Sequence, residues 1–271
     1  MTDAALQSLI DQVRAARADK TPLAITGGGT KAFYGGPVQG TPLDVRPLAG
    51  ISSYEPSELV VTVRAGTPLA TLEAALAEQG QCLPFEPPRF GPTSTVGGMV
   101  AAGLAGPARA AVGGVRDYVL GATLLNGKAE VLSFGGQVMK NVAGYDVSRL
   151  LAGSLGVLGV VCEVSLKVLP VPVASATLRF ELDQAAALKQ LNTWGGQPLP
   201  LSASAWWDGM LVLRLAGAAA AVQSARRALG GEVIDDTLAA ASWQGLRDQT
   251  ALSIGGATFD IESCRVVRDA G

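Results

Sequence analysis

The sequence predicts an α+β chain of two domains, and three observations carry that reading. Short Val-, Ile- and Leu-rich runs at strand spacing are interleaved with amphipathic helical stretches, without the strict alternation of a parallel α/β sheet. A proline pair at Pro170 and Pro172 marks a point beyond which the pattern becomes β-α-β-β-α-β. Glycine is abundant, 34 of 271 residues against a usual share of about 7%, and much of it follows predicted strands. A chain of this length fits one large or two modest domains at roughly 150 residues each.

The elements follow in order. Leu6, Leu9, Ile10 and Val13 recur at helical spacing, so residues 4–18 read as an amphipathic helix capped by Thr2 or Asp3. Leu23–Thr26 is a short strand running into Gly27-Gly28-Gly29-Thr30-Lys31. Further strands fall near Leu43–Arg46 and Leu59–Ala65. Thr67-Pro68 opens a helix through Glu78 that Gly80 ends. Residues 84–98 form a long loop, followed by a small-residue helix from Met99 to Leu104. Asn126-Gly127, between Val119–Leu125 and Ala129–Phe134, is a strong hairpin signal. Asp146–Leu151 reads as a short helix. Val157–Leu169 reads as a strand, with Glu163, Ser165 and Lys167 alternating against apolar neighbours.

Beyond the prolines come strand 175–182, helix 183–193, strand 202–207, an Asp208-Gly209 turn, strand 210–216, helix 217–229, strand 232–235 and helix 237–248. This is the split βαβ, or ferredoxin-like, order, with helices expected on one face of an antiparallel sheet. The expected division is residues 1–170, 171–250 and an irregular tail, 251–271.

Composition excludes several functions. With 48% hydrophobic and 16% charged residues, wholesale disorder is ruled out. A net charge of −2 gives no general attraction to nucleic acid. The chain has no histidine, so a histidine base, a histidine-ligated metal and a flavin tethered through histidine are excluded. Cys82, Cys162 and Cys264 show neither metal-ligand spacing nor a disulfide framework. Cys162 reads as core and Cys82 as a small buried hydrophobe. No metal site is expected. No stretch is long enough for a membrane-spanning helix, which takes about 20 apolar residues. No signal-peptide pattern opens the sequence, so a reducing cytoplasm is the expected compartment.

Two glycine loops carry the functional signal. Gly27-Gly28-Gly29-Thr30-Lys31 follows a strand and offers consecutive N–H groups, a hydroxyl and a charge: an anion nest, or simply a tight turn. Neither P-loop nor Rossmann spacing is present. About 65 residues on, Thr93-Ser94-Thr95-Val96-Gly97-Gly98 again combines hydroxyls and glycines at a helix start, fit for phosphate or for close helix packing. Two such loops suggest a diphosphate gripped from two sides. Gly153, Gly156 and Gly159 lead into Val160-Val161 and let backbone lie against a flat ring, or simply make a sharp turn into a buried strand. Arg226-Arg227 reads as a solvated helix face, and Trp206-Trp207 as strand packing.

The order of these segments, with Val138-Met139-Lys140-Asn141-Val142-Ala143-Gly144-Tyr145-Asp146 as the most specific, resembles the FAD-binding domain of the vanillyl-alcohol oxidase / p-cresol methylhydroxylase (PCMH) superfamily over residues 22–169. The similarity is greatest to its 2-hydroxyacid dehydrogenase branch, and there to FAD-binding subunits of bacterial glycolate oxidases. The resemblance implies a PCMH-type FAD-binding domain of two α+β subdomains followed by the ferredoxin-like cap, with FAD bound noncovalently. It implies that Gly27, Gly28, Gly29, Thr30 and Lys31 form one pyrophosphate loop, and Thr93, Ser94, Thr95, Val96, Gly97 and Gly98 the other. Asp117 and Val119 would pass the adenosine half, Gly156 and Val161 would give backbone contacts to the flavin nucleotide, and Lys140, Asn141 and Tyr145 would lie near the flavin ring.

Catalytic members of that branch resemble one another in carrying histidines in the substrate domain, which this chain lacks. The resemblance therefore assigns no catalytic residue here. It implies a subunit working beside a related catalytic flavoprotein and an iron–sulfur chain, cytoplasmic or held at the inner face of the membrane through them. A stand-alone FAD-dependent 2-hydroxyacid dehydrogenase, and a structural subunit that has lost FAD, remain the other readings.

Overall fold

Asp3 starts the first helix as the sequence requires: its Oδ1 accepts from the amides of Ala5 and Leu6 at 3.1 and 3.4 Å, supplying a partner to donors that no helical carbonyl can reach. The computed structural model describes residues 3–136 and 146–250, together with the backbone of two short strands at 252–254 and 257–259. Thr2, Lys140, Asn141, Tyr145 and Cys264 lie outside the described residues. The chain divides into two compact units, Met1–Leu104 with Gly114–Pro170 and Ala105–Gly113 with Val171–Gly271.

In the first unit, helix α1 (Ala4–Asp19) precedes β1 (Leu23–Thr26), which pairs in parallel with β2 (Thr41–Asp44). An antiparallel five-stranded sheet follows, in the order β3 (Ile51–Glu55), β4 (Val60–Arg64), β8 (Val160–Lys167), β6 (Val119–Leu125) and β7 (Val131–Gly135). Between these strands lie α2 (Leu69–Glu78), the two-residue strand β5 (Gln81–Cys82), which pairs with β9 (Leu169–Pro170), and α3 (Val96–Ala102). Along β8 the predicted alternation holds only in part: Glu163 and Lys167 are partly exposed, but Ser165 is buried between Val164 and Leu166, its hydroxyl 2.8 Å from that of Thr62. Leu9 and Val13 of α1 share one apolar cluster with Leu43, Val45, Leu125, Val160 and Cys162. That cluster locks the β1–β2 layer, and hence the first glycine loop, onto the end of the large sheet.

Several expectations shift. α3 begins at Val96, not Met99, because Thr95 caps it through Gly98 N–H at 3.2 Å. It ends before Leu104, where Gly103 turns left-handed at φ +64°. The Asn126-Gly127 signal does not make a two-residue hairpin. The turn runs to Glu130, with Ala129 left-handed, because the Asn126 carboxamide oxygen accepts from the amides of both Lys128 and Glu130. Strand β3 was not expected. Residues 148–151 form a single 3₁₀ turn in place of the expected helix 146–151.

The second unit has α4 (Arg109–Val112), which lies against the edge strand β11, and the run β10 (Ala174–Glu181), α5 (Gln184–Gly195), β11 (Leu201–Trp207), β12 (Met210–Gly217), α6 (Ala219–Leu229), β13 (Glu232–Ile234) and α7 (Asp236–Asp248). The sheet order β11-β12-β10-β13, all antiparallel, is the ferredoxin-like topology. The helices are not confined to one face. Ala187, Trp194, Val222 and Ala225 of α5 and α6 pack on Leu178, Leu211, Leu213 and Leu215. On the opposite face Ala239 and Trp243 of α7 pack on Trp207, Met210, Val212 and Ile234. Trp243 Nε1 donates to Thr177 Oγ1 at 2.9 Å, and the Arg214 guanidinium lies 5.0 Å from the Trp243 ring centroid. The tail read as irregular contains an antiparallel pair, β14 (Leu252–Ile254) and β15 (Ala257–Phe259).

Arg226 and Arg227 are solvent-exposed, and Trp206 is half-exposed with its Nε1 donating to Leu182 O at 2.8 Å. Cys162 is buried, and burial pushes its thiol up to about 11. The folded thiol thus holds its proton more tightly than the unfolded one. This contribution to stability is complete below the unfolded pKa of 9.0 and lost as pH rises through 11, by about 2 kcal/mol. Urea denaturation at pH 8 and pH 11, with Cys162→Ala as the reference, should show that difference. Iodoacetamide at pH 8 should modify Cys162 only in the unfolded chain.

Candidate functional site

A cavity of about 750 Å³ opens in the first unit, at the carboxyl end of β1. Its walls come from Gly27–Lys31, the following loop to Gln39, the α3 residues Gly98, Ala101 and Ala102 with their cap Thr95, and Leu155, Gly156 and Val157. A volume of this size suits a drug- or cofactor-sized ligand, since such pockets run about 300–1,000 Å³. The lining combines the polar glycine loop with apolar side chains of Ile25, Val38, Leu155 and Val157.

The two sequence loops meet. Thr93 Oγ1 donates to Gly28 O at 2.8 Å, and Lys31 Nζ donates to Ser94 Oγ at 2.8 Å. A Cβ on Gly27 would stand 2.6 Å from Thr95 Oγ1, and one on Gly28 only 1.5 Å from Thr93 O. The contact therefore requires glycine at these positions because of space. At Gly29 the reason is conformational: φ is +72° and nothing lies within 4 Å of where a Cβ would stand.

The loops differ in what they offer a ligand. Among the described residues, no hydrogen bond engages the amides of Gly28, Gly29 or Thr30. These three consecutive N–H groups sit at the cavity with the Thr30 hydroxyl and Lys31, the one charged residue of its lining among the described residues. The second loop is not an open nest of amides. Val96 N–H donates to Thr67 O, Gly97 N–H to Ala65 O and Gly98 N–H to Thr95 Oγ1. Ser94 is buried behind Lys31. Gly97 faces away from the cavity, its missing Cβ replaced by Ala65 at 2.7 Å. From this loop only Thr95 and Gly98 line the cavity.

The remaining expected positions are spread out. Gly156 lines the cavity, held at φ +81° and close to Ile25. Val161 is buried in β8, opposite Leu124. Asp117 is exposed and accepts from Gly114 N–H at 2.8 Å, closing a 3₁₀ turn, and Val119 starts β6 in the core. None of these three belongs to the cavity lining. Sequence reasoning missed Tyr34–Gln39 as a wall. Gly35 and Gly36, both left-handed, were the available signal. It also missed the supports of the second loop: Arg89 pairs with Glu73, and Glu86 and Phe90 take positive φ to bend the loop, which sets the Phe90 ring 5.7 Å from Lys31 Nζ. Cys82 is half-buried, and burial with nearby Glu86 raises its thiol. Among the described residues no cluster could hold a metal ion, and no helix is long and apolar enough to cross a membrane.

Glycine-loop amides, a lysine and a partly apolar cavity at the end of strand β1 fit a dinucleotide-binding domain of the flavoprotein type, and the comparisons agree. A family model described as an FAD binding domain matches residues 4–135. Glycolate oxidase subunit GlcE of Escherichia coli is 53% identical over 243 residues, 90% of this chain and 68% of that protein. D-lactate dehydrogenase of Anaerostipes hadrus is 32% identical over 59% of this chain and 34% of its own length. Glycolate oxidase subunit GlcD of Bacillus subtilis is 32% identical over 56% of this chain and 31% of its own. An alkyldihydroxyacetonephosphate synthase structure superposes with a TM-score of 0.68 at 19% identity, covering 90% of this chain and 56% of that one; this likeness concerns the fold, which is PCMH-type. The chain belongs to the FAD-binding oxidoreductase family that contains the bacterial glycolate oxidase subunits. Its cofactor is FAD, and the residues at the cavity fit it: three uncommitted amides and an ammonium suit a diphosphate, and the apolar walls suit a ring.

Proposed function

We propose that this chain is the FAD-binding subunit of a glycolate-oxidase-type complex, which oxidises a small 2-hydroxy acid, and that it holds FAD noncovalently. The observation that carries the reading is the convergence of the two loops on one cavity: Gly28, Gly29, Thr30 and Lys31 of the first and Thr95 and Gly98 of the second all line it. When bound, FAD supplies redox chemistry that no side chain of the protein has. The chain's own residues bind and orient. Gly28, Gly29 and Thr30 would donate to the diphosphate oxygens, Lys31 would neutralise part of their charge, and Ile25, Leu155 and Val157 would exclude water from the cavity. Following the resemblance, Asp117 and Val119 pass the adenosine half, and Gly156 and Val161 give backbone contacts to the flavin nucleotide. The proposed division makes 1–170 the FAD domain, apart from Ala105–Gly113, which belongs to the second unit, and 171–250 the cap.

The absence of histidine supports placing substrate oxidation on a partner. Taking the hydroxyl proton needs a base near neutral pKa, and no motif in the sequence supplies one. The partners in this reading are a related catalytic flavoprotein chain and an iron–sulfur chain, in the cytoplasm or at the inner membrane face. Purification of the chain with its native partners should give about two FAD per copy of this chain, one held by it and one by the flavoprotein partner, by absorbance after acid release. The isolated chain should turn over glycolate or D-lactate with an artificial acceptor at less than about 1% of the rate of the complex, a loss of roughly 3 kcal/mol in transition-state stabilisation. Turnover by the isolated chain at the rate of the complex would establish a stand-alone dehydrogenase instead. A colourless chain that FAD cannot reconstitute would make it a structural subunit.

A further inference from the structure

We infer that Ser94 is a positioning residue for cofactor binding: it acts on the diphosphate through Lys31 and does not touch it. This rests on the FAD reading above and names the side chain behind its charged contact. Ser94 is only 2% exposed and is absent from the cavity lining, whereas Lys31 is part of it. The Ser94 hydroxyl accepts from Lys31 Nζ at 2.8 Å, and Arg89 O and Thr30 Oγ1 stand at 3.5 Å from the same nitrogen. The Phe90 ring lies 5.7 Å from it. A lysine side chain has four rotatable bonds and loses roughly 2 kcal/mol of rotamer entropy when fixed. These partners fix it before any ligand arrives.

The three hydroxyls of Thr93-Ser94-Thr95 thereby take different tasks. Thr93 holds Gly28 O, Thr95 caps α3 at the cavity wall, and Ser94 aims the ammonium. An ammonium offers three donors. One can stay on Ser94 while the two directed at Arg89 O and Thr30 Oγ1, both long at 3.5 Å, turn to phosphate oxygens. Among the described residues Lys31 is the only charged group in the lining, set against the two negative charges of a diphosphate. Its placement should therefore govern how far FAD binding depends on charge.

The test is a double-mutant cycle in the full-length chain, stripped of flavin and titrated with FAD across a range of ionic strength. Lys31→Met should weaken FAD binding about 30-fold and flatten the dependence of Kd on salt. Ser94→Ala should weaken it about 5-fold, the scale of one lost hydrogen bond, and flatten the salt dependence in the same direction. In the Lys31→Met background Ser94→Ala should add less than about 2-fold, since residues acting as one unit are non-additive. Full additivity, or a Ser94→Ala loss with an unchanged salt dependence, would overturn the inference while leaving the FAD site standing. A wild-type chain that binds no FAD would overturn both.

Discussion

Gly28→Ala is expected to abolish flavin retention, with an affinity loss of at least about 100-fold, or roughly 2.7 kcal/mol. The cause is steric. The added carbon would sit 1.5 Å from Thr93 O, 2.4 Å from the carbonyl carbon and 3.2 Å from Ser94 N. All three are backbone atoms, so no rotamer change relieves the clash. Restoring an ordinary contact needs the two loops to part by about 2 Å, since carbon–carbon contacts settle near 3.5–4.0 Å. That movement breaks the Thr93-to-Gly28 bond and carries the Gly28 and Gly29 amides off the cavity. Overpacking of this kind also costs folding stability, about 1–3 kcal/mol. Gly29→Ala is the control. It meets no neighbouring atom and is strained only by φ +72°, so it should cost about 1 kcal/mol and leave the loops docked. Equilibrium dialysis with FAD and thermal melts on both variants read the difference. A Gly28→Ala chain that keeps its flavin would show that loop contact does not shape the site.

That prediction changes the physical reason originally attached to these glycines. From sequence, glycine in the first loop reads as an anion nest or a tight turn, and in the second as room for phosphate or for close helix packing. The fold uses Gly28 and Gly97 as clearance for protein backbone and leaves Gly29 to face the ligand space. Composition and spacing reveal that a loop needs bare backbone, but not what approaches it, because the approaching atom comes from far along the chain. The same limit hid the engaged amides at the start of α3: their acceptors, Thr67 O and Ala65 O, belong to the segment after β4.

Local chemistry was legible where local groups decide. The Asp3 cap, β1, β6 and the βαββαβ order all follow from nearby residues. Strand β3 was missed because Ser52 and Ser53 dilute its apolar signal on an edge strand, where one side needs no burial. The second layer of helix on the ferredoxin-like sheet had a signal that went unused. Met210-Leu211-Val212-Leu213 is apolar at every position, and a strand that reads so is covered on both faces. Leu211 and Leu213 take the α5–α6 side, Met210 and Val212 the α7 side. The residues of the two loops already suggested one diphosphate gripped from two sides, and the family resemblance added that the diphosphate is that of FAD.

Gly97 offers the sharper separation of folding from binding. Gly97→Ala places a methyl 2.7 Å from the Ala65 side chain and 3.0 Å from Ala65 O, on the side of α3 away from the cavity. Gly97 N–H donates to that same carbonyl at 2.7 Å, so α3 cannot slide without losing the bond. The expected cost is about 2–3 kcal/mol of stability, against roughly 4–8 °C in melting temperature per kcal/mol for a 60–100-residue domain and less for a larger one. Ala65→Gly in the same chain removes the nearer clash and should return about half of the loss. Alone it should cost about 0.5–1 kcal/mol through backbone entropy. FAD affinity of the folded Gly97→Ala fraction should fall less than 10-fold, because Thr95 and Gly98 still line the cavity. Stability and affinity thus part company at Gly97 and fall together at Gly28. Loss of binding at Gly97 as deep as at Gly28, with no recovery from Ala65→Gly, would mean that the start of α3 contacts the cofactor directly.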